Sequence, residues 1–150
     1  MTDEPPYVVG DRIQLQQVIL NLLFNASDAM ADIEPPARQL LVSIECAPTE
    51  CVRLSVRDTG AGLGAQILGR LFQPFCTTKS DGMGMGLFIS RSIIESHHGR
   101  LEAAQNEGPG ATFSFSIPRA RVSVAPSDWQ RAGCNHLHRA TGAVSSLGLS

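Results

Sequence analysis

From Asp11 to Ala31 (DRIQLQQVILNLLFNASDAMA) apolar residues recur at helical spacing. Leu15, Val18, Ile19, Leu22, Leu23, Ala26, Ala29 and Met30 form one wide stripe, which predicts an amphipathic helix with that stripe on a core. Gly10-Asp11 supplies a turn and an N-cap at its start. Asn21, Asn25 and Asp28 stand apart from the stripe and share a narrow face along one edge of it. Two Asn one turn apart, each flanked by apolar residues, carry amide groups that need partners. Such a pair either cross-links neighbouring elements or reaches a ligand or metal; the motifs downstream favour the ligand.

Pro35 and Pro36 stop the helix and make Asp32–Arg38 a loop. The period then changes to two. Gln39–Ala47 alternates around Leu41, Val42 and Ile44, and Cys51–Arg57 sets Val52, Leu54 and Val56 against Arg53, Ser55 and Arg57. With Pro48-Thr49-Glu50 as the turn, these predict a hairpin with one face on the core and one in water. Gly64–Leu71 reads as a short helical segment, and Leu87 to about His98 as a second helix that buries Leu87, Ile89, Ile93 and Ile94. His97 and His98 end it, where a cationic side chain suits the helix dipole. Arg100–Gln105 and Ala111–Ile117 form two more strands across the breaker-rich Asn106–Gly110. In the second, Phe113, Phe115 and Ile117 are expected to bury, with Thr112, Ser114 and Ser116 on the other side. Tyr7-Val8-Val9 is a strand end or an extended lead-in. Beyond Pro118 no period is sustained, and residues 119–150 read as a poorly ordered tail.

Composition adds bounds. A chain of 150 residues, 43% hydrophobic and 17% charged, makes one globular domain with a core. A net charge of −2 offers no basic field to nucleic acid or acidic lipid. No apolar run reaches membrane-spanning length, and the first residues lack the pattern of a signal peptide. Cys46, Cys51, Cys76 and Cys134 show no ligand spacing and read as reduced thiols, which points to the cytoplasm. Cys134, His136 and His138 are too tightly spaced for zinc and lack a fourth partner.

Two stretches carry candidate chemistry. Asp58-Thr59-Gly60-Ala61-Gly62-Leu63 follows a strand directly. It is either an Asx turn or a place where glycines let a flat ligand approach a carboxylate. Gly82-Met83-Gly84-Met85-Gly86 opens a helix and is either a flexible glycine linker or a place where backbone N–H groups and the helix dipole meet a phosphate, with Thr77, Thr78 and Lys79 close by. A Rossmann motif is excluded because no strand precedes these glycines and the spacing is GxGxG; a P-loop is excluded because no Gly-Lys-Ser/Thr follows.

Five motifs in order, NLLFNASDAM, DTGAGL, LFQPFCTTK, GMGMGL and GPGATFSFSIP, resemble the N box, first glycine box, F box with ATP lid, second glycine box and last strand of a known domain. That domain is the catalytic, ATP-binding (Bergerat-fold) domain of bacterial two-component sensor histidine kinases. The resemblance implies an α+β fold, a two-layer α/β sandwich with helices on one face of a mixed sheet, over residues 1–118. It implies an ATP-dependent histidine kinase module that uses Mg²⁺. Asn25 would bind Mg²⁺, Asn21 would lie by the phosphates, and Asp58 would accept from the exocyclic amine of adenine. Gly60 and Gly62 would let the base and lid approach. Lys79 and the N–H groups around Gly82, Gly84 and Gly86 would hold the phosphates, and Thr112 would assist at the adenine. Asp28, Thr78 and Leu87 complete the implied ATP-binding set.

Related ATP-hydrolysing members carry a Glu where Asn21 stands, and an amide cannot act as a base, so phosphoryl transfer is implied over hydrolysis. No catalytic side chain beyond the ATP site is implied. The acceptor histidine would lie on a separate dimerisation domain, with a response regulator as the indirect partner and no nucleic acid or membrane segment involved. The sequence departs from the pattern in having no acceptor hairpin, an incomplete first strand, His98 where the family usually has Gly, and an unmatched tail. It is expected to be a kinase fragment, a split module or a truncated product. The competing readings are a non-catalytic nucleotide-binding regulator and an anti-sigma-factor-type serine kinase.

Overall fold

The computed structural model describes residues 6–47, 49–74 and 85–120. Helix α1 spans Arg12–Ala29, and Asp11 caps it: Oδ1 accepts from the N–H groups of Ile13 (2.9 Å) and Gln14 (3.1 Å). Its main stripe faces inward, with Val18, Leu22, Ala26 and Met30 buried and Leu15, Ile19 and Leu23 packed at the rim. The loop expected after α1 holds a single 3₁₀ turn at Pro35–Ala37, since proline is tolerated at a helix start.

Strand β1 (Leu40–Ala47) pairs with β2 (Cys51–Asp58), and β3 (Arg100–Gln105) pairs with β4 (Ala111–Pro118). The sheet order is β1-β2-β4-β3. Every described pairing is antiparallel, where the resemblance implied a mixed sheet. A one-turn helix α2 (Ala65–Leu68) and a longer α3 (Gly86–Ser96) complete the elements. Helices α1 and α3 pack together on one face of the sheet, which gives the two-layer α+β architecture. Phe113, Phe115 and Ile117 of the central strand β4 bury beneath them beside Leu54, Val56 and Leu101. The opposite face is polar, with Ser43, Ser55, Ser114 and Glu102 in one cross-strand row and Arg53 reaching Glu102 from the next.

Two burial expectations change. Val42 and Ile44 share the helix-side face with Val56 and Leu54, yet they are 36% and 52% exposed. The helices lie over β2, β3 and β4 and stop short of the edge strand β1. On α3, Ile89 is 38% exposed, and Ser90 takes the buried position instead, at 2%.

Helix α3 ends in a Schellman motif. Gly99 N–H donates to Ile94 O (2.9 Å) and His98 N–H to Glu95 O (3.0 Å). His98 sits at φ +60°, the left-handed position at which the resemblance implied glycine. His97 Nε2 accepts from Asp11 N–H (2.9 Å), so Nδ1 carries the proton and donates to Ile93 O (2.7 Å). The expected cap is there, but the ring is neutral rather than cationic, and it ties the end of α3 to the start of α1.

Pairing continues past Pro118. Arg119 N–H donates to Glu50 O (2.6 Å), Ala120 N–H donates to Tyr7 O (2.7 Å), and Val8 bridges Arg119. Arg119 and Ala120 therefore belong to the folded body, and Tyr7–Val9 is an extended lead-in with a single bridge. The remainder of the expected tail, with Cys134, His136 and His138, lies outside the described residues. Among the described residues no helix is long and apolar enough to cross a membrane.

Candidate functional site

Strand β2 delivers Asp58 to its end, where the carboxylate is 1% exposed. Oδ1 accepts from Gly60 N–H (2.9 Å) and from Ala111 N–H (3.2 Å). The first bond is the Asx turn that the local sequence allows; the second comes from the neighbouring strand β4. Among the described residues both bonds fall on Oδ1, and Oδ2 takes none. Residue 60 has to be glycine here. A methyl group there would lie 2.4 Å from Ala29 O, because the loop runs hard against the C-terminal end of α1. Ala61 N–H donates to the same Ala29 carbonyl (3.2 Å). Thr59 fastens the other side, with Oγ1 accepting from Gln39 N–H (2.9 Å) and donating to Ala37 O (2.7 Å). Gly62 follows, and the next N–H, of Leu63, donates to Gln105 Oε1.

The other end of the site forms where α1 meets α3. Asn21 Nδ2 donates to the buried Ser90 Oγ at 2.9 Å. Its Oδ1 faces Gly86, where a methyl group would come within 2.5 Å of it. Asn21 thus cross-links two helices and holds its amide beside the N-terminus of α3. Met85, the residue before it, makes no side-chain cap, and the first-turn N–H groups of a helix have no partner within the helix itself. Asn25 is half-buried one turn along α1, Asp28 is exposed one further turn on, and Leu87 is half-buried at the start of α3. Thr78, Lys79, Gly82 and Gly84 lie outside the described residues.

Thr112 is not brought to the Asp58 carboxylate. It pairs with Arg57 and Ala104 on the polar face of the sheet, and its hydroxyl donates to Asn106 Oδ1 (2.6 Å). Four residues that the sequence did not single out take part: Ser90, Gln105, Asn106 and Gly110. Asn106 and Gly110 left a signal, as members of one run of turn formers.

A groove of about 530 Å³ runs along the outside of α1 and α3, lined by Ile13, Leu20, Phe24 and Ile89 with Gln16, Gln17, Asn21, Gly86 and Ser90. It adjoins the α3 end of the site and does not include Asp58. Ile13, Leu20 and Phe24 form a second apolar stripe on α1, opposite the core stripe and exposed. Among the described residues no group of three or more His, Cys, Asp or Glu side chains could hold a metal by itself.

Residues 10–121 match the model of the histidine kinase-, DNA gyrase B-, and HSP90-like ATPases. The chain is 48% identical over 113 residues to the sensor protein FixL of Bradyrhizobium diazoefficiens, covering 75% of this chain and 22% of that protein. It is 36% identical over 118 residues to sporulation kinase E of Bacillus subtilis, covering 79% of this chain and 15% of that one. Among solved structures, the catalytic domain of the histidine kinase ThkA superposes with a TM-score of 0.64 at 35% identity, covering 75% of this chain and 70% of that one. Full-length ShkA in complex with AMPPNP superposes with a TM-score of 0.68 at 30% identity, covering 80% and 24%. The chain spans about a fifth of the length of FixL.

Proposed function

The chain belongs to the histidine kinase-, DNA gyrase B-, and HSP90-like ATPase family, as a histidine-kinase-type ATP-binding domain, and on that premise we propose that it binds ATP with Mg²⁺ and passes the γ-phosphoryl group to a histidine on a separate dimerisation domain. The observation that carries this reading is the placement of two unlike recognition sites at the two ends of one helical stretch. Gly60 and the Asp58 loop pack on Ala29, and Asn21 lies beside Gly86, the start of α3. Eight residues of α1 separate Ala29 from Asn21, about 12 Å of helix. A base-reading carboxylate and a phosphate-binding helix terminus are held apart on one rigid element.

Asp58 Oδ2 accepts from the exocyclic amine of adenine; guanine presents a carbonyl there, and two acceptors repel. The phosphates lie against the first-turn N–H groups of α3, with Lys79 and the N–H groups around Gly82 and Gly84 as further donors. Asn25 would hold Mg²⁺ through its amide oxygen. Bound there, the ion would neutralise charge on the triphosphate. The acceptor imidazole nitrogen attacks the γ-phosphorus, the bond to the bridging oxygen breaks, and ADP leaves with that oxygen. The chain's part is positioning and electrostatics, since Asn21 can orient but cannot deprotonate a water. The apolar groove beside Asn21 and Gly86 seats the helix that brings the histidine. The phosphorylated histidine then supplies a response regulator, in the cytoplasm.

Titration of the chain with ATP, with and without Mg²⁺, tests the first half. The parent should gain affinity with the metal and Asn25→Ala should lose that gain; equal metal dependence removes Asn25 as the ligand. Radiolabelled ATP tests the second. Label should appear on an added histidine-bearing dimerisation domain and not on this chain; acid-labile label on this chain alone would overturn the assignment.

A further inference from the structure

The turn between β3 and β4 grips Asp58 at two places. Asn106 uses its whole amide. Nδ2 donates to Asp58 O (2.9 Å) and to Pro109 O (3.1 Å), and Oδ1 accepts from Thr112 Oγ1 (2.6 Å). Two carbonyls can only accept, so the nitrogen end of the amide is fixed by its partners. The Asn106 N–H closes the turn onto Gly110 O (3.1 Å). Gly110 then passes at φ +91°, so close that a methyl group would lie 2.0 Å from Asp58 O and 2.8 Å from its Oδ1. Directly after it, Ala111 N–H donates to Asp58 Oδ1 (3.2 Å). Residue 58 is therefore held by its main-chain carbonyl through Asn106, and by its carboxylate through the residue that ends the same turn.

The two attachments together fix a direction. With Oδ1 occupied by two N–H donors, from Gly60 and Ala111, the carboxylate plane is set and Oδ2 points one way. That geometry lasts only while the turn stays closed, because Ala111 N–H is aimed by Gly110. The Thr112 side chain lies on the far face of the sheet, and its hydroxyl reaches this system through Asn106.

We propose that Asn106 and Thr112 are positioning residues for base selection: the Thr112–Asn106 pair clamps the 106–110 turn onto Asp58 and so aims Oδ2 at the purine's exocyclic group. This rests on the assignment of Asp58 as the base-reading group. A pair that merely stabilised the hairpin would weaken all nucleotides alike when removed. An aiming pair changes the preference between an amine and a carbonyl at the same ring position.

The test measures the affinities of the full chain for Mg·ATP and Mg·GTP in the parent and in Thr112→Val, Thr112→Ser, Asn106→Ala and Asp58→Asn, with thermal melting alongside. Thr112→Val keeps the shape and deletes the hydroxyl. It should weaken ATP about three- to tenfold and leave GTP at its parental level. Thr112→Ser should restore the parental ratio. Asn106→Ala should lower the ratio at least as far as Thr112→Val; should it fail to fold, the two Thr112 variants decide. A parental ratio in Thr112→Val beside a lowered ratio in Asp58→Asn overturns this inference alone. Equal losses for both nucleotides in Thr112→Val also overturn it. A parental ratio in Asp58→Asn removes the base-reading role, and this inference with it.

Discussion

Asp58→Asn exchanges a single atom type and leaves the fold its hydrogen bonds. The carboxylate is buried, and its Oδ1 accepts from Gly60 and Ala111 N–H groups at 2.9 and 3.2 Å. An asparagine carbonyl oxygen in the same place keeps both bonds, and those two donors prevent the amide from turning over. What changes is Oδ2, which becomes an NH₂ group. Opposite an exocyclic amine, two donors then face each other across a contact shielded from water. Losing a charged acceptor costs about 1.5–3 kcal/mol, which weakens ATP binding about 10- to 150-fold. Opposite a guanine carbonyl the same NH₂ donates, so GTP binds as well as before or better. The ATP-over-GTP preference therefore narrows by at least the factor lost for ATP. Calorimetric titration with both nucleotides reads the ratio, and a melting curve confirms that the fold has survived. A folded variant with the parental preference would refute the reasoning and place the base elsewhere.

Gly60→Ala forces a methyl group to within 2.4 Å of Ala29 O, a backbone atom that cannot step aside. It should destabilise the domain by about 1–3 kcal/mol and abolish ATP binding; a variant that melts and binds like the parent would refute the close packing of loop on helix. His98→Gly removes a side chain from a left-handed position at φ +60°. The relief is about 1 kcal/mol after the greater freedom of the unfolded glycine is counted, so differential scanning calorimetry should show Tm rising by about 2–4 °C, and a fall would contradict the assigned backbone. Phe24→Ser alters a residue that is 65% exposed, so melting and ATP affinity should stay parental. Transfer to a histidine-bearing dimerisation domain should slow about tenfold, as for loss of a central apolar anchor; an unchanged rate would remove the groove as the acceptor's seat.

Periodicity carries most of the fold because burial of one face is what the elements share. The core stripe of α1 and the alternation in β2 and β4 are strong enough to place these three elements within two residues of their observed limits, while the short α2 ends three residues before the expected Leu71. Periodicity does not say where the helix layer ends. Val42 and Ile44 alternate as core residues do, yet they stand on the edge strand beyond the reach of α1 and α3. Nor does hydropathy give the phase of α3. Ile89 is the apolar residue and Ser90 the polar one, but Asn21 supplies Ser90 with a buried partner, and this turns the serine inward. The exposed stripe of Ile13, Leu20 and Phe24 leaves no separate signal for the same reason: one apolar face suffices to explain the helix.

At the site, the local alternatives prove compatible with one another. Asp58 makes the Asx turn and still presents Oδ2; Asn21 cross-links two helices and still borders the start of α3. Bonds such as Asn106 to Asp58, 48 residues apart, leave no local mark, because a turn-forming Asn looks the same whether or not it reaches another strand. Thr112 is different. Phe113, Phe115 and Ile117 fix the inward face of β4, and Thr112 alternates with them, so it lies on the face of Ser114 and Ser116. Asp58 follows Arg57 on β2 and shares the inward face of Val56. Two clean alternations thus set the Thr112 hydroxyl and the Asp58 carboxylate on opposite sides of one sheet. The Thr112 hydroxyl reaches around the strand toward Asp58 through the Asn106 amide.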